Sequence, residues 1–507
     1  MNESRRIVLY NPRPDPTLIT SELPLALLCI SSIPFQQGFD IRIMSYHSEG
    51  GGLIDEQVVH ECAGALCFGV SAFTGNQIKD GLAISRAVKK EYPDLPIIWG
   101  GWHPSLMPMQ TIANPNIDIV VKGQGERTFS ELVDALYLKK SLKDIDGLVF
   151  KEGEKIHSNP DRKLEDINNF PPLPFEAVDI EKYVVDYADI GSRSVLYRSS
   201  HGCPFRCGFC SESVVNKSRW FGLKAQQVVD DFERLHKEYN INGIIPVDSN
   251  FFVDKKRVRE ICQGILDRKL DIHWGNVDGR TNHLIKFEEK LWNLMKDSGC
   301  RIILAGAESG DQSTLELIQK KTTVEDTYRL MEKCHQYNIK VIFSCMIGFP
   351  RRNMGKVENI KEVDNEISAA IEMIDQLNSI ESQWIQLFNY LPYPGTPLYN
   401  DAVQCGFKEP ESLEGWGSFN FHKKINPWVE KRQIKFVNML AHYILKFINP
   451  YADILPDVLA KKYLRPLAWT GTKFFKMAVV LRWRCKFFRF PLDYWLYEFI
   501  RKRQRFF

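Results

Sequence analysis

The chain has 507 residues, of which 44% are hydrophobic and 25% charged, and its formal net charge is +3. This composition excludes a broadly disordered chain and supports about three domains of roughly 150 residues each. Most of the twelve cysteines are single and scattered, which excludes a disulfide framework and indicates a reducing compartment.

The N-terminal sequence predicts neither an export signal nor a membrane-spanning segment. The first strand-like run reaches Asn11-Pro12 before an apolar signal core could form. The most apolar stretch, 23–35, is too short to cross a bilayer and contains Pro24 and Pro34. We therefore expect a cytoplasmic protein.

Residues 1–150 alternate short apolar runs with helix-length amphipathic segments. This alternation predicts repeated βα units and a doubly wound, Rossmann-like parallel sheet. The predicted strands are 7–10, 41–46, 65–71, 96–99 and 117–121.

The loops after these strands are predicted to form a binding edge, because ligands of such sheets lie beyond the carboxyl ends of the strands. Adjacent glycines let a ligand approach bare backbone, and a glycine turn before a helix presents backbone N–H groups. A single GG or GxG is more often a tight turn than a binding loop, so the prediction of a binding edge depends on the loops as a set. The candidate binding residues at this edge are Ser71, Gly100, Gly101, His103, Gly123 and Glu126.

Residues 151–190 are predicted to be a linker, because they are polar and then read Phe-Pro-Pro-Leu-Pro at 170–174. Successive prolines forbid helix and stiffen the passage. From Arg193 the βα alternation resumes. The predicted strands of this second unit, 191–400, are 194–197, 243–247, 273–276, 301–305, 340–347 and 384–390.

Cys203, Cys207 and Cys210 stand at CxxxCxxC spacing in the loop after the first of these strands. Three thiolates on so short a segment can hold three irons of a four-iron, four-sulfur cluster and leave the fourth iron open to a small molecule. One alternative is a structural zinc site with His201 as the fourth ligand, although the second CxxC or HxxxH pair typical of such sites is missing. Another is three unrelated buried cysteines.

With the aromatic Phe209 before the last cysteine, this motif resembles the CxxxCxΦC signature of the radical S-adenosylmethionine (SAM) superfamily. The resemblance implies a [4Fe-4S] cluster on the three cysteines, SAM chelated by the open iron, and a 5′-deoxyadenosyl radical formed from it. It also implies a partial (β/α)6 barrel over residues 191–400, an apolar contact of Phe209 with the cofactor, and a flavodoxin- or ferredoxin-type reductant.

Polar residues follow the later strands of this unit, where SAM would have to be held. Asp248 follows the second strand, Arg280 lies just past the third and Glu308 follows the fourth. SAM needs acceptors for its ammonium and hydroxyls and a donor for its carboxylate, and these residue types supply both. Each also has a plainer alternative, because Asp248 or Glu308 can cap a helix and Arg280 can be a surface cation.

Upstream of the cysteines, the chain resembles the cobalamin-binding domain of cobalamin-dependent radical SAM enzymes, whose strand-end positions match Ser71, Gly100 and Gly101. Residues 394–397, Pro-Gly-Thr-Pro, resemble the segment that closes the barrel in these enzymes. The DxHxxG motif is absent, since the first loop reads Asn-Pro-Arg-Pro-Asp-Pro at 11–16. The resemblance therefore implies cobalamin bound without a histidine lower ligand, and a domain that has lost cobalamin is the alternative.

Residues 401–507 are predicted to be a helical, basic and aromatic extension. The segment 461–507 has thirteen Lys or Arg residues against Asp493 and Glu498, a local charge of +11, which leaves −8 on the rest of the chain. Basic and aromatic helices can lie on an anionic membrane surface, which would suit a lipid-like substrate. The alternative is that the aromatics cap the barrel and the charges are solvated. Nucleic-acid binding is not favoured, because no recognition module accompanies these residues.

Together the resemblances imply a C-methyltransferase that acts on an unactivated carbon of a small-molecule or lipid-like substrate. The deoxyadenosyl radical would remove a substrate hydrogen, and the carbon radical would take a methyl group from methylcobalamin. A radical oxidative cyclase or an anaerobic oxygen-inserting enzyme of the tetrapyrrole cyclase type uses the same cofactors and remains the alternative. The intact cysteine trio argues against a non-catalytic cobalamin sensor.

Overall fold

Two sheets and a helical C-terminal region make up the fold of the computed structural model, which describes residues 4–15, 22–46, 54–378, 383–419, 426–448 and 465–504. Both sheets have seven strands with helices packed against them. The predicted α/β class is therefore confirmed. In this described part of the chain, every helix is too short or too polar to cross a bilayer.

The first sheet has the strand order β2-β1-β3-β4-β5-β6-β7, with its first five strands parallel. All five predicted strands are present, with ends shifted by at most two residues. The strands are β1 (Arg6–Asn11), β2 (Asp40–Ser45), β3 (Cys67–Ser71), β4 (Ile97–Gly100), β5 (Ile119–Val121), β6 (Leu148–Glu152) and β7 (Lys155–Ser158). The helices of this part are α1 (Leu25–Gln36), α2 (Ile54–Glu61), α3 (Asn76–Glu91), α4 (Trp102–Leu106), α5 (Pro108–Ile112) and α6 (Gly125–Tyr137).

The structure moves both predicted ends of the linker 151–190. Strands β6 and β7 form an antiparallel hairpin that extends the first sheet from β5, so the first unit runs past residue 150 to Ser158. At the other end, a short strand, 185–187, pairs antiparallel with the first strand of the second sheet. Both additions are short edge strands, and their sequences lack the helix-length spacing that marked the βα units.

The second sheet has the order β16-β15-β14-β13-β12-β9-β8, in which six strands run parallel and β8 adds antiparallel at one end. The six predicted strands of the partial barrel are all present. A separate two-stranded hairpin, β10 with β11, flanks the cysteine loop. The strands are β8 (Val185–Tyr187), β9 (Gly191–Tyr197), β10 (Ser200–Gly202), β11 (Trp220–Gly222), β12 (Gly243–Pro246), β13 (His273–Gly279), β14 (Cys300–Glu308), β15 (Lys340–Ile347) and β16 (Gln383–Asn389).

The two faces of this curled sheet differ. Its outer face packs against helices in the main core, whereas Ile190, Ile245, Ile302 and Ile342 form a small apolar cluster of their own. We call the face that carries this cluster the inner face of the barrel. The helices of this part are α7 (Glu212–Val215), α8 (Ala225–Tyr239), α9 (Lys255–Asp267), α10 (Thr281–Leu284), α11 (Glu289–Asp297), α12 (Gln312–Leu317), α13 (Val324–Gln336) and α14 (Lys356–Leu377).

The C-terminal region joins the two sheets. Glu414 accepts a hydrogen bond from Asn114 Nδ2 at 2.8 Å, and Trp416 Nε1 donates to Gln110 Oε1 at 2.7 Å. These contacts tie residues after the barrel to the first unit. The helices are α15 (Pro397–Gln404), α16 (Leu413–Trp416), α17 (Lys431–Met439), α18 (Leu445–Ile448), α19 (Arg465–Arg484) and α20 (Leu492–Gln504), with a π-helical turn at Leu440–Ile444.

Candidate functional site

A cavity of about 690 Å³ lies between the carboxyl-end loops of the first sheet and the barrel. The loops after β1, β3, β4 and β5 form one wall, as expected for a doubly wound sheet. Five of the six residues predicted for this edge line the cavity, namely Ser71, Gly100, Gly101, Gly123 and Glu126. The opposite wall comes from the barrel and includes Leu196, Arg198, His201, Val247 and Tyr393.

The glycines of this wall leave the backbone bare. Gly101 has a φ of +96°, and a Cβ built there would lie 2.9 Å from both Ala72 N and Ser71 Oγ, so only glycine fits. Gly123 has a φ of +69° and nothing within 4 Å of an added Cβ. A floor of exposed backbone beside an open volume suits a broad, flat ligand such as a corrin ring. The residues therefore fit the implied cofactor.

An ion pair crosses from the first unit to the barrel at the cavity wall. Arg198 Nη2 donates to Glu126 Oε1 at 3.1 Å, and Arg198 Nη1 lies 3.4 Å from His201 Nδ1. Burial opposes the ionisation of Glu126, but Arg198, His201 and hydrogen bonds to the carboxylate together outweigh it, and the pKa of this carboxyl is lowered. Burial and the neighbouring guanidinium both lower the pKa of His201. No local pattern in the sequence marks Arg198, because its partner lies 72 residues away.

His103 does not line the cavity, contrary to the expectation that it could approach the cofactor. Its ring is fully buried, with Nδ1 2.9 Å from Thr74 Oγ1 and the ring centroid 5.4 Å from that of Trp416. Burial lowers the pKa of His103 to about 4, so the imidazole is neutral. The reason is local: α4 begins directly after Gly101, and it is Trp102 that borders the cavity.

The cysteine loop is held in place by its backbone. The β10–β11 hairpin holds together the two ends of segment 203–219, which contains the cysteine loop. Gly208 N donates to Ile318 O at 2.8 Å, and Leu398 N donates to Gly208 O at 3.0 Å. Gly202 has a φ of +86°, and a Cβ there would lie 2.1 Å from Arg219 O. The loop that carries the three sulfurs is thus fixed by segments more than 100 residues away.

The three cysteines share one partly buried environment. Burial raises the pKa of Cys203 and raises that of Cys210 to about 12, and Cys207 adds to both shifts. The free thiols of Cys203 and Cys210 are therefore protonated at neutral pH, and cluster binding would release their protons. In the described ranges, no three Cys, His, Asp or Glu side chains converge tightly enough for a single metal ion. His201, proposed as the ligand in the zinc alternative, instead contacts Arg198 at the cavity.

Arg280 lies against the cysteine loop rather than at the surface. Its guanidinium stacks 4.2 Å from the ring centroid of Phe205, and its Nη1 lies 3.5 Å from Cys207 Sγ. The side chain is buried. A cation and donor beside a cluster sulfur is one of the ways in which proteins set cluster potentials. The structure thus brings Arg280 to the sulfur itself.

Glu308 forms a buried ion pair that the sequence did not predict. Lys320 Nζ lies 2.6 Å from Glu308 Oε1, and Glu308 adopts a φ of +64°. A Cβ on Gly306 would lie 2.1 Å from that same oxygen, so this glycine makes room for the pair. Burial alone would lower the pKa of Lys320, but Glu308 and Cys207 outweigh it and the pKa is raised. The ammonium also lies 6.0 Å from the ring centroid of Phe209, which places all of these groups in one neighbourhood.

Asp248 accepts hydrogen bonds from the backbone just before the cysteine loop, whereas its position in the sequence predicts a contact with SAM. Its Oδ1 accepts from Ser199 N at 2.7 Å and from Ser200 N at 3.0 Å, and its Oδ2 accepts from Ser199 Oγ. Arg257 Nη2 donates to Ser199 O at 2.8 Å and completes the network. With both oxygens engaged and the side chain buried, Asp248 positions the strand end that leads into the loop.

Asp278 is a carboxylate on the inner face that sequence reasoning missed. It pairs in register with Leu304, which packs on the inner apolar cluster, so both side chains lie on the same face of the sheet. The side chain is accessible to solvent inside the barrel, yet the surrounding protein desolvates it. Desolvation raises its pKa to about 7, with Lys320 opposing and Glu308 adding to the shift. The alternation of the two faces along β13 could have indicated this residue, because Val277 is buried and the adjacent Asp278 therefore lies on the opposite face of the sheet.

Tyr393 connects the cavity with the cysteine loop. It borders the cavity, and burial together with the neighbouring Cys210 raises its pKa to about 12. It directly precedes the closing segment 394–397, in which Gly395 has a φ of +77°, and Leu398, which directly follows that segment, donates a hydrogen bond to the cysteine loop. The cavity and the three sulfurs are therefore adjacent parts of one site.

Comparison with known proteins agrees with this geometry. The model of the radical SAM superfamily matches residues 197–363, and that of the B12 binding domain matches residues 21–133. The chain is 30% identical over 386 residues to an uncharacterized methyltransferase of Pyrococcus horikoshii, which covers 76% of this chain and 79% of that protein. It is 25% identical over 325 residues to the anaerobic magnesium-protoporphyrin IX monomethyl ester cyclase of Rubrivivax gelatinosus, covering 62% and 55% respectively.

Among solved structures, the chain is similar in fold to the cobalamin-dependent S-adenosylmethionine radical enzyme OxsB. The TM-score is 0.64 at 17% identity, over 94% of this chain and 72% of that one. The similarity extends over both sheets, so the paired arrangement of the two units is shared.

Proposed function

Because this chain belongs to the B12-binding radical SAM enzyme family, we propose that it transfers a methyl group to an unactivated carbon of a small-molecule or lipid-like substrate. The observation that carries the proposal is the cavity of the first sheet, which opens beside the cysteine loop with Tyr393 bordering both. The similarity to a protein named as a methyltransferase over three quarters of the chain supports methyl transfer as the outcome.

Each group of residues has one task in this proposal. When bound, the cluster with SAM would supply a hydrogen-abstracting radical and cobalamin would carry the methyl group. Cys203, Cys207 and Cys210 would hold the cluster, and Arg280 would stabilise its added negative charge. Glu308, fixed by Lys320, would present an acceptor to SAM. An external flavodoxin- or ferredoxin-type reductant would deliver the electron.

The first loop supports a cobalamin site without a histidine below the ring. Asn11, Pro12, Arg13 and Pro14 line the cavity, and Asp80 fixes this loop by accepting from Arg13 N at 2.8 Å. The histidine that lines the cavity in the described part of the chain belongs to the barrel wall. We expect cob(II)alamin bound to the protein to give an electron paramagnetic resonance spectrum without nitrogen coupling from an imidazole.

Asp278 is our candidate for the group that orients the substrate. It faces the inside of the barrel, and no hydrogen bond or ion pair of its side chain with the rest of the described chain competes with a ligand. A carboxyl group at this depth would accept a hydrogen bond from a substrate hydroxyl or amine. Asp278 would thus give the substrate a polar contact near the isoleucine cluster of the inner face.

The test uses the full-length protein, reconstituted anaerobically with iron, sulfide and cobalamin and incubated with reductant and trideuteromethyl-SAM. The substrates offered are a lipid extract and a polar-metabolite extract of the source cells. We expect 5′-deoxyadenosine, S-adenosylhomocysteine and a product that carries the trideuteromethyl group. A product formed with 5′-deoxyadenosine but neither S-adenosylhomocysteine nor label would refute methyl transfer and identify the cyclase or oxygen-inserting reaction.

The cysteine assignment has its own control. Cys207→Ala should lose cluster absorption and both SAM-derived products, because an iron then lacks its protein ligand. Cys485→Ala removes an exposed cysteine outside the motif and should retain both. Full cluster content in Cys207→Ala would overturn the assignment.

A further inference from the structure

The hairpin formed by α19, α20 and the turn between them carries a concentration of exposed apolar side chains. We call residues 473–499 the C-terminal hairpin. Nine of the 19 large hydrophobic side chains exposed in the described part of the chain belong to it. Soluble surfaces rarely group such residues without a binding role. They are Phe474, Met477, Leu481, Phe487, Phe490, Leu492, Trp495, Leu496 and Phe499.

Helix α19 has two apolar faces, and only one of them is used inside the protein. Phe475, Val479 and Trp483 recur every four residues and are buried, with Phe475 packed against Tyr443. The second face, which begins at Phe474 and continues through positions 477 and 481, is exposed. On α20 the positions 492, 495, 496 and 499 form a similar exposed stripe. Phe474 and Leu481 of the first helix and Leu492 and Leu496 of the second line a shallow apolar groove.

The hairpin presents these side chains from a fixed scaffold. Arg482 Nη2 lies 2.5 Å from Asp493 Oδ1, and this ion pair is almost fully buried. Arg482 Nη1 also donates to Phe487 O at 2.7 Å, which closes the turn. Trp483 Nε1 donates to Asp375 Oδ1 at 2.6 Å and ties the hairpin to α14. The exposed aromatic residues therefore keep one orientation.

The charge around the apolar surface indicates what covers it. Residues 461–507 carry thirteen basic and two acidic residues. Lys476, Arg484 and Arg489 are exposed, and within the described ranges their side chains form no ion pair. A second copy of the chain would bring the same +11 against it and would be repelled. A nucleic acid would match the charge but would leave the apolar stripe in water.

We propose that the C-terminal hairpin docks on the surface of an anionic lipid bilayer, with its aromatic and aliphatic side chains among the acyl chains and its basic residues at the head groups. An anionic bilayer is the partner that matches both features at once. The helices lie in the interface and do not cross it. The hairpin packs on Tyr443 of the π-helical turn 440–444, and this turn contacts β16. The membrane surface would therefore lie close to the last strand of the barrel. This docking is independent of the proposed methyl transfer.

The test measures co-sedimentation of the full-length protein with phosphatidylcholine vesicles that contain or lack phosphatidylglycerol. We expect binding to the anionic vesicles that weakens with added salt. Binding should be lost in the triple variant Leu481→Ser/Phe490→Ser/Trp495→Ser. It should be kept in the matched control Met109→Ser/Leu138→Ser/Val357→Ser, which removes equally exposed apolar residues elsewhere.

A charge pair of variants separates electrostatic attraction from apolar insertion. Arg484→Glu/Arg489→Glu should weaken binding on the order of 25-fold or more, because each basic residue near an anionic surface contributes about fivefold. Lys155→Glu/Lys290→Glu changes the net charge equally on other surfaces and should have little effect.

Insertion depth gives a readout that does not depend on a variant with a damaged fold. Brominated acyl chains should quench wild-type tryptophan fluorescence more than that of Trp495→Phe, which keeps an apolar ring. Equal quenching, or equal binding to neutral vesicles, would overturn the proposal. So would a dimer in solution that the triple variant dissociates, since a second copy would then be the occupant.

Discussion

Replacement of Gly101 by alanine tests the backbone geometry on which the cofactor cavity depends. In the structure this glycine has φ +96° and ψ −165°, a region that only glycine adopts freely. A Cβ there would lie 2.9 Å from Ala72 N and from Ser71 Oγ and 3.0 Å from Ala72 O. Two of these three atoms belong to the backbone of the neighbouring loop, so relief requires the β3 loop to move.

Gly101→Ala should lower the free energy of unfolding for two reasons, the unfavourable backbone conformation and the close contacts of the added Cβ. The backbone conformation costs about 1–3 kcal/mol, and overpacking against fixed atoms costs about 1–3 kcal/mol more. We therefore expect the free energy of unfolding to fall by about 2–6 kcal/mol. Because the displaced loop carries Ser71, we also expect weaker cobalamin binding.

Two neighbouring glycines provide matched controls. Gly123→Ala meets no atom within 4 Å and has a φ of +69°, so it should cost only about 1 kcal/mol. Gly100→Ala meets its nearest atoms at 3.7 Å and has an ordinary φ, so its effect should lie within about 0.5 kcal/mol. The assays are calorimetric unfolding of the cofactor-free protein and a spectrophotometric cobalamin titration. If Gly101→Ala were as stable as Gly100→Ala, the reasoning from loop contact would be refuted.

Three further predictions concern charged side chains of the site. Glu126→Gln leaves Arg198 without its partner and should lower the free energy of unfolding by about 3 kcal/mol. The double variant Glu126→Gln/Arg198→Gln should recover part of this loss. Calorimetry measures both changes, and no recovery in the double variant would contradict the pairing. Arg280→Gln removes a positive charge 3.5 Å from Cys207 Sγ, so the midpoint potential of the reconstituted cluster should become more negative, and Arg280→Lys should shift it less. The pKa of Asp278 is raised from 3.8 to about 7, so between pH 3.8 and about 7 the native state binds more protons than the unfolded state. The stability of the native state therefore falls as the pH rises through this range. Asp278→Asn should therefore stabilise the protein at pH 8.5 by about 1 kcal/mol after allowance for solvent access, which raises the Tm by about 1 °C for a chain of 507 residues. The gain should be smaller at pH 5.5, and an equal gain at both pH values would disprove the titration.

The sequence by itself determined the parallel strands of both sheets and the position of the cysteine loop. Strand and helix periods are local properties, and parallel βα units place their loops at one edge by topology alone. That is why Ser71 and the adjacent Gly100 and Gly101, which follow different strands, could be assigned to one binding edge, and all three line the cavity. The cysteine spacing is equally local, because all three sulfurs belong to one loop.

Only the tertiary structure decided which polar groups meet. Lys320 reaches Glu308 from the loop after α12 and Arg198 reaches Glu126 across 72 residues, and neither pairing leaves a repeating pattern in the sequence. Asp248 had a residue type suited to SAM, yet its oxygens are used by the backbone before the cysteine loop. Hydrogen bonds and ion pairs depend on distances of a few ångströms between segments remote in sequence, whereas the period of a strand depends only on neighbours along the chain.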